Sequence, residues 1–226
     1  MILLPDWQPR PVPDGRLLEG RYARLVRFDA GRDAAAIFEA MGGARAIDDF
    51  ARWMMIGRNL TLASFTEALQ RRELEQGFVT YSVFPEGAET ARGMISYIHI
   101  RPEHGAAELG AVAFGDGLGR SRAATETVFL LARHIFEDLG YRRLEWKCNN
   151  KNEKSKRAAL RFGFSYEGVF RNHLVVNGMS RDSAYYAMIC EDWPRLKPGY
   201  EGWLSPDNFD ADGRQRVALN LPQIVA

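Results

Sequence analysis

Apolar positions alternate with polar ones, or gather with β-branched and aromatic residues, in seven stretches that predict strands. They are RYARLVRF (21–28), FVTYSVF (78–84), GMISYIHI (93–100), ELGAVAF (108–114), RRLEWKC (142–148), SYEGVFRNHLVV (165–176) and RDSAYYAMI (181–189). In the fifth, Leu144, Trp146 and Cys148 alternate against Glu145 and Lys147. A period near 3.6 marks the helices. Asp33 is positioned to cap a short helix carrying Ile37, Phe38 and Met41, and a second helix runs from Ser64 to about Leu74 with Phe65, Ala68 and Leu69 on one face. The clearest pattern spans Ala123 to Leu139, where Val128, Leu131, Ala132, Ile135 and Leu139 form one stripe, and Gly140 stands where a left-handed stop belongs. Asn152 caps a further helix to about Phe162, ended by Gly163. RPEHGAA (101–107) reads as a hairpin loop, and Asn177-Gly178 as the turn of a second hairpin.

The order is strand, two helices, three strands, helix, strand, helix, two strands. Antiparallel hairpins around one parallel strand–helix–strand unit predict an α/β (α+β) mixed-sheet domain with about seven strands and four helices. Two flanks lie outside this pattern. Residues 1–20 carry Pro5, Pro9, Pro11 and Pro13 and are expected to form an extended arm. The patterned domain spans 21–192. Residues 193–226 mix Trp193, Tyr200, Trp203 and Phe209 with prolines and glycines, and read as an irregular tail packed on the core or on a partner subunit.

Composition narrows the class. With 226 residues, 46% hydrophobic and 26% charged, the chain suits one globular domain with arms. Thirty basic residues oppose 29 acidic ones, so no global field favours nucleic acid, and no nucleic-acid partner is expected. No apolar run approaches the ~20 residues of a membrane span, and the start is too short and too broken by Pro5 for a signal peptide. Cys148 and Cys190 have no disulfide-type spacing, which points to a reduced, cytoplasmic setting. The four histidines and two cysteines have no metal-ligand spacing, so no metal is expected.

Two helix N-termini carry candidate chemistry. GDGLGRSRAATE (115–126) joins a strand to the strongest helix, and such a junction offers unpaired N–H groups and the positive end of the helix dipole. Gly115, Gly117 and Gly119 permit close backbone approach, while Arg120 and Arg122 add charge for a phosphate; the alternative is a glycine turn with two solvated arginines. The loop matches neither G-x-G-x-x-G nor G-K-[ST]. Asn152 and Ser155 open the next helix, where both also suit simple capping. The two N-termini project from neighbouring parallel strands, the place where ligands bind in open α/β sheets.

From Glu108 to about Trp193 the chain resembles the GNAT superfamily of N-acetyltransferases, and within it the RimJ/RimL-like branch of ribosomal-protein N-terminal acetyltransferases. The likeness rests on ELG on a strand, the loop–helix SRAATET, the block LGYRRLEWKCNNKNEKSKRAALRFGFSYEGVFR and the closing EDWP. The branch pattern N-x-x-S…G-F-x-x-E-G-x-x-R is met by Asn152, Ser155, Gly163, Phe164, Glu167, Gly168 and Arg171. The resemblance implies a GNAT-like acyl-CoA N-acyltransferase fold and acetyl-CoA as co-substrate. The acyl-CoA loop would fall on Gly119, Arg120, Ser121, Arg122, Ala123 and Ala124, departing from the superfamily's Q/R-x-x-G-x-G/A at Gly119 and Arg122. The tyrosine many members use as general acid is replaced by Ala159, which leaves Ser155 as the candidate. By the same resemblance Asn152 would contact the pantetheine, and the backbone N–H groups of Val112, Ala113 and Phe114 would meet its amides.

The implied reaction moves an acetyl group to a primary amine, which must be neutral to attack. About 10% of an α-amine is neutral at pH 7 against ~0.04% of a lysine amine, a difference of ~3.5 kcal/mol. That difference favours an α-amine over a lysine amine, and the branch resembled implies a peptide or protein α-amine rather than a small-molecule amine. Glu108 is the candidate proton acceptor, the alternative being a solvent-facing or ion-paired strand residue. Ser155 would hydrogen-bond the departing thiolate. Cys148 is expected to be a buried, inert thiol, Glu126 to favour the helix dipole, and Glu167 with Arg171 to form a structural pair. A non-catalytic acyl-CoA-binding module and a nucleotide-phosphate binder are the rival readings, and a monomer and a homodimer are both open.

Overall fold

The computed structural model describes residues 3–222. Eight strands, β1 (Leu18–Glu19), β2 (Ala23–Arg27), β3 (Val79–Pro85), β4 (Gly93–Arg101), β5 (Ala106–Phe114), β6 (Arg143–Asn149), β7 (Ser165–Val176) and β8 (Met179–Ile189), form one sheet in the order β1-β2-β3-β4-β5-β6-β8-β7. All neighbours are antiparallel except β5 and β6, which are joined by the crossover helix the sequence pattern demands. Six α-helices flank the sheet: α1 (Ala30–Ala40), α2 (Gly43–Met54), α3 (Leu62–Gln76), α4 (Arg122–Arg133), α5 (Glu153–Arg161) and α6 (Trp193–Trp203). The expected mixed α/β class is correct. The count is larger by the two-residue β1 and by α2 and α6.

Two cores result. On one face α1, α2 and α3 bury Ile37, Phe38, Ile47, Met54, Phe65 and Leu69 against Phe84, Met94 and Ala113. On the other, α4, α5 and α6 cover Leu25, Tyr81, Ile95, Leu109, Leu144 and Trp146. The tail reading requires correction, because residues 193–203 are helical. Pro194 sits in the first turn, where its missing N–H costs nothing. Trp193, Leu196, Tyr200 and Trp203 form a stripe whose burial outweighs the interior Pro198. Trp193 and Tyr200 pack on Phe129 of α4 with ring centroids 5.8 and 5.5 Å apart, and Tyr200 Oη donates to the Phe162 carbonyl at 2.8 Å.

The cap of α1 also differs from expectation. Asp29 is the N-cap, accepting from Arg32 N, whereas Asp33 is buried one turn inside and accepts from Ser82 Oγ at 2.5 Å. The long helix to Leu139 divides: α4 ends at Arg133, and His134–Asp138 widens into a π-helical turn where Tyr97 Oη donates to the Leu131 carbonyl. Gly140 (φ +67°), Gly163 (φ +80°) and the Asn177-Gly178 pair (φ +51° and +74°) adopt the left-handed conformations their positions predict. In the arm, Trp7 Nε1 donates to the Glu103 carbonyl at 2.8 Å and Arg10 stacks on the Trp7 ring.

Candidate active site

The parallel pairing of β5 with β6 runs only from Ala106–Arg143 to Leu109–Trp146. Beyond that the strands splay, while β5 stays paired to β4 through Phe114 and β6 to β8 through Asn149. A β5 bulge, with Ala111 at φ +49°, lies at the start of the splay, so strand N–H groups beyond Leu109 lack a neighbouring strand on the β6 side. The gap widens into a cleft of about 1100 Å³ walled by β5, β6, β8 and the α2–α3 side. Val112 and Ser155 both line it; Ala113 is fully buried toward α1, and Phe114 is half-buried at the strand end.

Glu108 sits on β5 just before the splay and is 3% exposed. Its Oε2 is 3.1 Å from Lys147 Nζ and 2.8 Å from His99 Nδ1, so the ion-paired alternative is part of the geometry. Oε1 takes part in none of these contacts. His99 is 54% exposed in its side chain and sits at φ +46° in an irregular stretch of the β4–β5 ladder. It gives the buried carboxylate a hydrogen-bonded path to solvent. His99 and Lys147 were not singled out by sequence, because three strands, β4, β5 and β6, bring them together with Glu108.

On the other side of the splay stands Ser155, in the first turn of α5. Asn152 is the true cap, its Oδ1 accepting from Ser155 N at 3.2 Å. Ser155 Oγ instead accepts from Trp146 Nε1 at 3.0 Å. That indole donor occupies an acceptor site on the hydroxyl and leaves its proton free to be donated. Burial raises the Cys148 thiol above its ordinary value, and a hydrogen bond from Ser155 pulls it the other way. Cys148 is buried, as its strand alternation predicts.

The glycine loop lies at the far end of β5. Ser121 caps α4, accepting from Ala124 N at 3.1 Å, and its own hydroxyl donates to the Leu118 carbonyl. Arg122 and Ala123 occupy the first helical positions, whose N–H groups precede any intrahelical acceptor. A side chain added at Gly117 or Gly119 would meet no atom within 4 Å, so the loop surface is open to a ligand. Gly117 (φ +75°) and Arg120 (φ +63°) are left-handed, whereas Arg122 is helical. Arg122 pairs with Glu86 at 2.9 Å and stacks over Tyr22 at 4.4 Å. Its guanidinium is thus held by protein groups beside the loop.

Two minor expectations are corrected. Glu126 lies beyond the first turn of α4, is 5% exposed, and accepts from the backbone N–H groups of Arg21, Tyr22 and Ala23 at 2.9, 2.5 and 2.7 Å. Glu167 pairs with Arg143 rather than with Arg171, and Arg143 also holds Glu145 at 2.8 Å. No cluster of metal-ligating side chains occurs among the described residues, and no helix there is long and apolar enough to cross a membrane.

Comparison with known proteins agrees with this layout. The family model described as Acetyltransferase (GNAT) domain matches residues 24–165. A GCN5-related N-acetyltransferase from Brucella melitensis superposes with a TM-score of 0.89 at 37% identity, covering 96% of this chain and 97% of that one. A probable acetyltransferase of the GNAT family from Chromobacterium violaceum gives 0.78 at 33% identity over 86% and 96% of the two chains. Among curated proteins, "Putative ribosomal N-acetyltransferase YdaF" of Bacillus subtilis is 36% identical over 45% of this chain and 55% of its own. The chain spans about half the length of the curated relatives it matches. The glycine loop before a helix, the splayed parallel strands and the matching family model together establish that the chain belongs to the GNAT acetyltransferase family.

Proposed function

We propose that the protein transfers an acetyl group from acetyl-CoA to a primary amine by direct attack within a ternary complex, with a peptide or protein N-terminal α-amine as the acceptor. The observation that carries this reading is the splay of β5 from β6, which has Glu108 on one margin and Ser155 on the other. The N–H groups of Arg120, Arg122 and Ala123, on the open loop that Gly119, Ser121 and Ala124 complete, suit the CoA pyrophosphate. The unpaired strand edge from Val112 to Phe114, with Asn152, suits the pantetheine arm. Similarity to YdaF supports a ribosomal-protein type of acceptor.

In the reaction the ammonium group first loses a proton to Glu108, directly or through a water. His99 offers the carboxylate a route to solvent. The neutral amine attacks the thioester carbonyl carbon, and the carbonyl oxygen takes up negative charge beside the free β5 N–H groups. Collapse breaks the C–S bond, and Ser155 donates a hydrogen bond to the departing thiolate. The nitrogen's remaining extra proton passes through solvent to the thiolate, leaving the acetylated amine and CoA as its thiol, and Glu108 returns its proton to solvent.

Release of free thiol from acetyl-CoA, measured over a panel of peptides and small amines, tests the reading. Ser155→Ala should lower kcat by about 10–100-fold with little change in melting temperature. Glu108→Gln should lower kcat/KM most at low pH, where the amine most needs a base. Thiol release that no amine stimulates, or variants indistinguishable from wild type across pH, would refute it.

A further inference from the structure

The cleft contains more positive charge than its own carboxylates neutralise. Arg101 and Arg143 share Glu145, Arg143 also holds Glu167, and Lys147 holds Glu108. Arg72 donates to the Met54 carbonyl at the end of α2, which is a helix-terminus contact. Arg181 remains. It extends from β8, is 7% exposed and lines the cleft. Its Nε has no hydrogen-bond partner, its Nη1 meets only the Met55 thioether at 2.8 Å, and no carboxylate lies within ion-pair distance among the described residues. A buried guanidinium facing a sulfur atom is poorly compensated, since thioethers are weak acceptors.

The surroundings reinforce that field. Burial lowers the Arg181 pKa from its ordinary value, and burial together with the Lys147 and Arg181 charges lowers that of His173. Met55 is exposed and unbranched, and it ends α2 in a left-handed conformation (φ +57°), so its side chain is free to swing away from the guanidinium. A carboxylate entering there would replace one weak acceptor with two strong ones in the bidentate geometry arginine favours.

We propose that Arg181 is a specificity-determining residue that receives a carboxylate of the acceptor, so that preferred substrates are peptides with an acidic side chain within the first few residues of the reacting α-amine. This rests on the amine-acetylation reading above and extends it to the acceptor's second charge. The anchor lines the cleft on its β8 wall, whereas no residue of the loop at the start of α4 does, so it faces the acceptor rather than the diphosphate end of the acyl donor.

The test compares tetrapeptide amides, identical except for aspartate, glutamate, asparagine or lysine at the second or third position. Both kcat/KM with acetyl-CoA and binding by calorimetry in the presence of CoA are measured. Wild type should favour the acidic peptides by about tenfold or more in both readouts. Arg181→Met should bring that ratio close to one, and Arg181→Lys should restore part of it. Arg181→Met should melt no lower than wild type, because it removes an uncompensated buried charge; should it fail to fold, Arg181→Lys still supports the comparison through a reduced ratio. No acidic preference in wild type, or an undiminished preference in the variants, would overturn the proposal. If no peptide is acetylated, the transfer reading fails on its own, and the calorimetric ratio still decides the role of Arg181.

Discussion

Glu126 lies beneath the β1–β2 turn, and its replacement provides a sharp test of how that turn is held to α4. Its carboxylate accepts three consecutive backbone N–H groups, from Arg21, Tyr22 and Ala23. Gly20 is packed so closely that an added Cβ would fall 2.3 Å from the carboxyl carbon. Glu126→Gln keeps the shape but loses the charge, and its amide turns a donor toward a donor. Hydrogen bonds to a charged group are worth ~1.5–3 kcal/mol each and do not add fully, so a net loss of about 3–5 kcal/mol is expected. For a chain of this size each kcal/mol moves the melting temperature by ~2–4 °C, which gives a fall of about 6–20 °C. Scanning calorimetry and urea denaturation measure it. Gly20→Ala should also destabilise, and the double variant should lose less than the two single losses combined, because both act on the same carboxylate. A fall of less than about 3 °C for Glu126→Gln, or full additivity, would refute the three-donor account.

Further predictions concern neighbouring elements. The Arg143 guanidinium hydrogen-bonded to Glu167 holds that carboxyl below its usual range. A depressed folded pKa contributes stability above the unfolded carboxylate value that is lost as pH falls through the folded one. The melting-temperature gap between wild type and Glu167→Gln should therefore be widest near neutrality and close below about pH 4; a gap independent of pH would contradict the pairing. At the root of the glycine loop, a Cβ on Gly115 would meet the Ala40 and Arg92 carbonyl oxygens at 2.5 and 2.7 Å. Gly115→Ala should cost about 1–3 kcal/mol in urea denaturation, whereas Gly119→Ala, with open space around it, should stay within about 0.5 kcal/mol of wild type.

What was legible in the sequence was local. β-Branched alternation, the Asn152 cap and the stops at Gly140 and Gly163 are each set by the residue's own conformational preferences, and the fold follows them. The helix α2 escaped because its cap and first residue are glycines, Gly42 and Gly43, and its larger core-facing residues are only Ile47, Ala51 and Met54. The helix α6 escaped because prolines disguised a stripe that only tertiary burial could stabilise. Reading one stripe on α4 also missed its second face, where Phe129 and Phe136 meet α6. Glu108 stands out in the sequence as a carboxylate in an apolar segment, and Ser155 through the N-x-x-S pattern of the family resemblance. Lys147, His99 and Arg181 could not, since their meaning depends on partners contributed by other strands, or on the absence of any.

The docking of α6 on α4 has a consequence for biosynthesis. A nascent chain extended to residue 190 already contains every strand of the sheet, yet the outer side of α4 still presents Phe129 and Phe136 to water. Until Trp193 through Leu204 clear the ribosome, that aromatic surface is a target for chaperones and for self-association. Premature termination just after the last strand should therefore yield insoluble protein rather than a weakened enzyme.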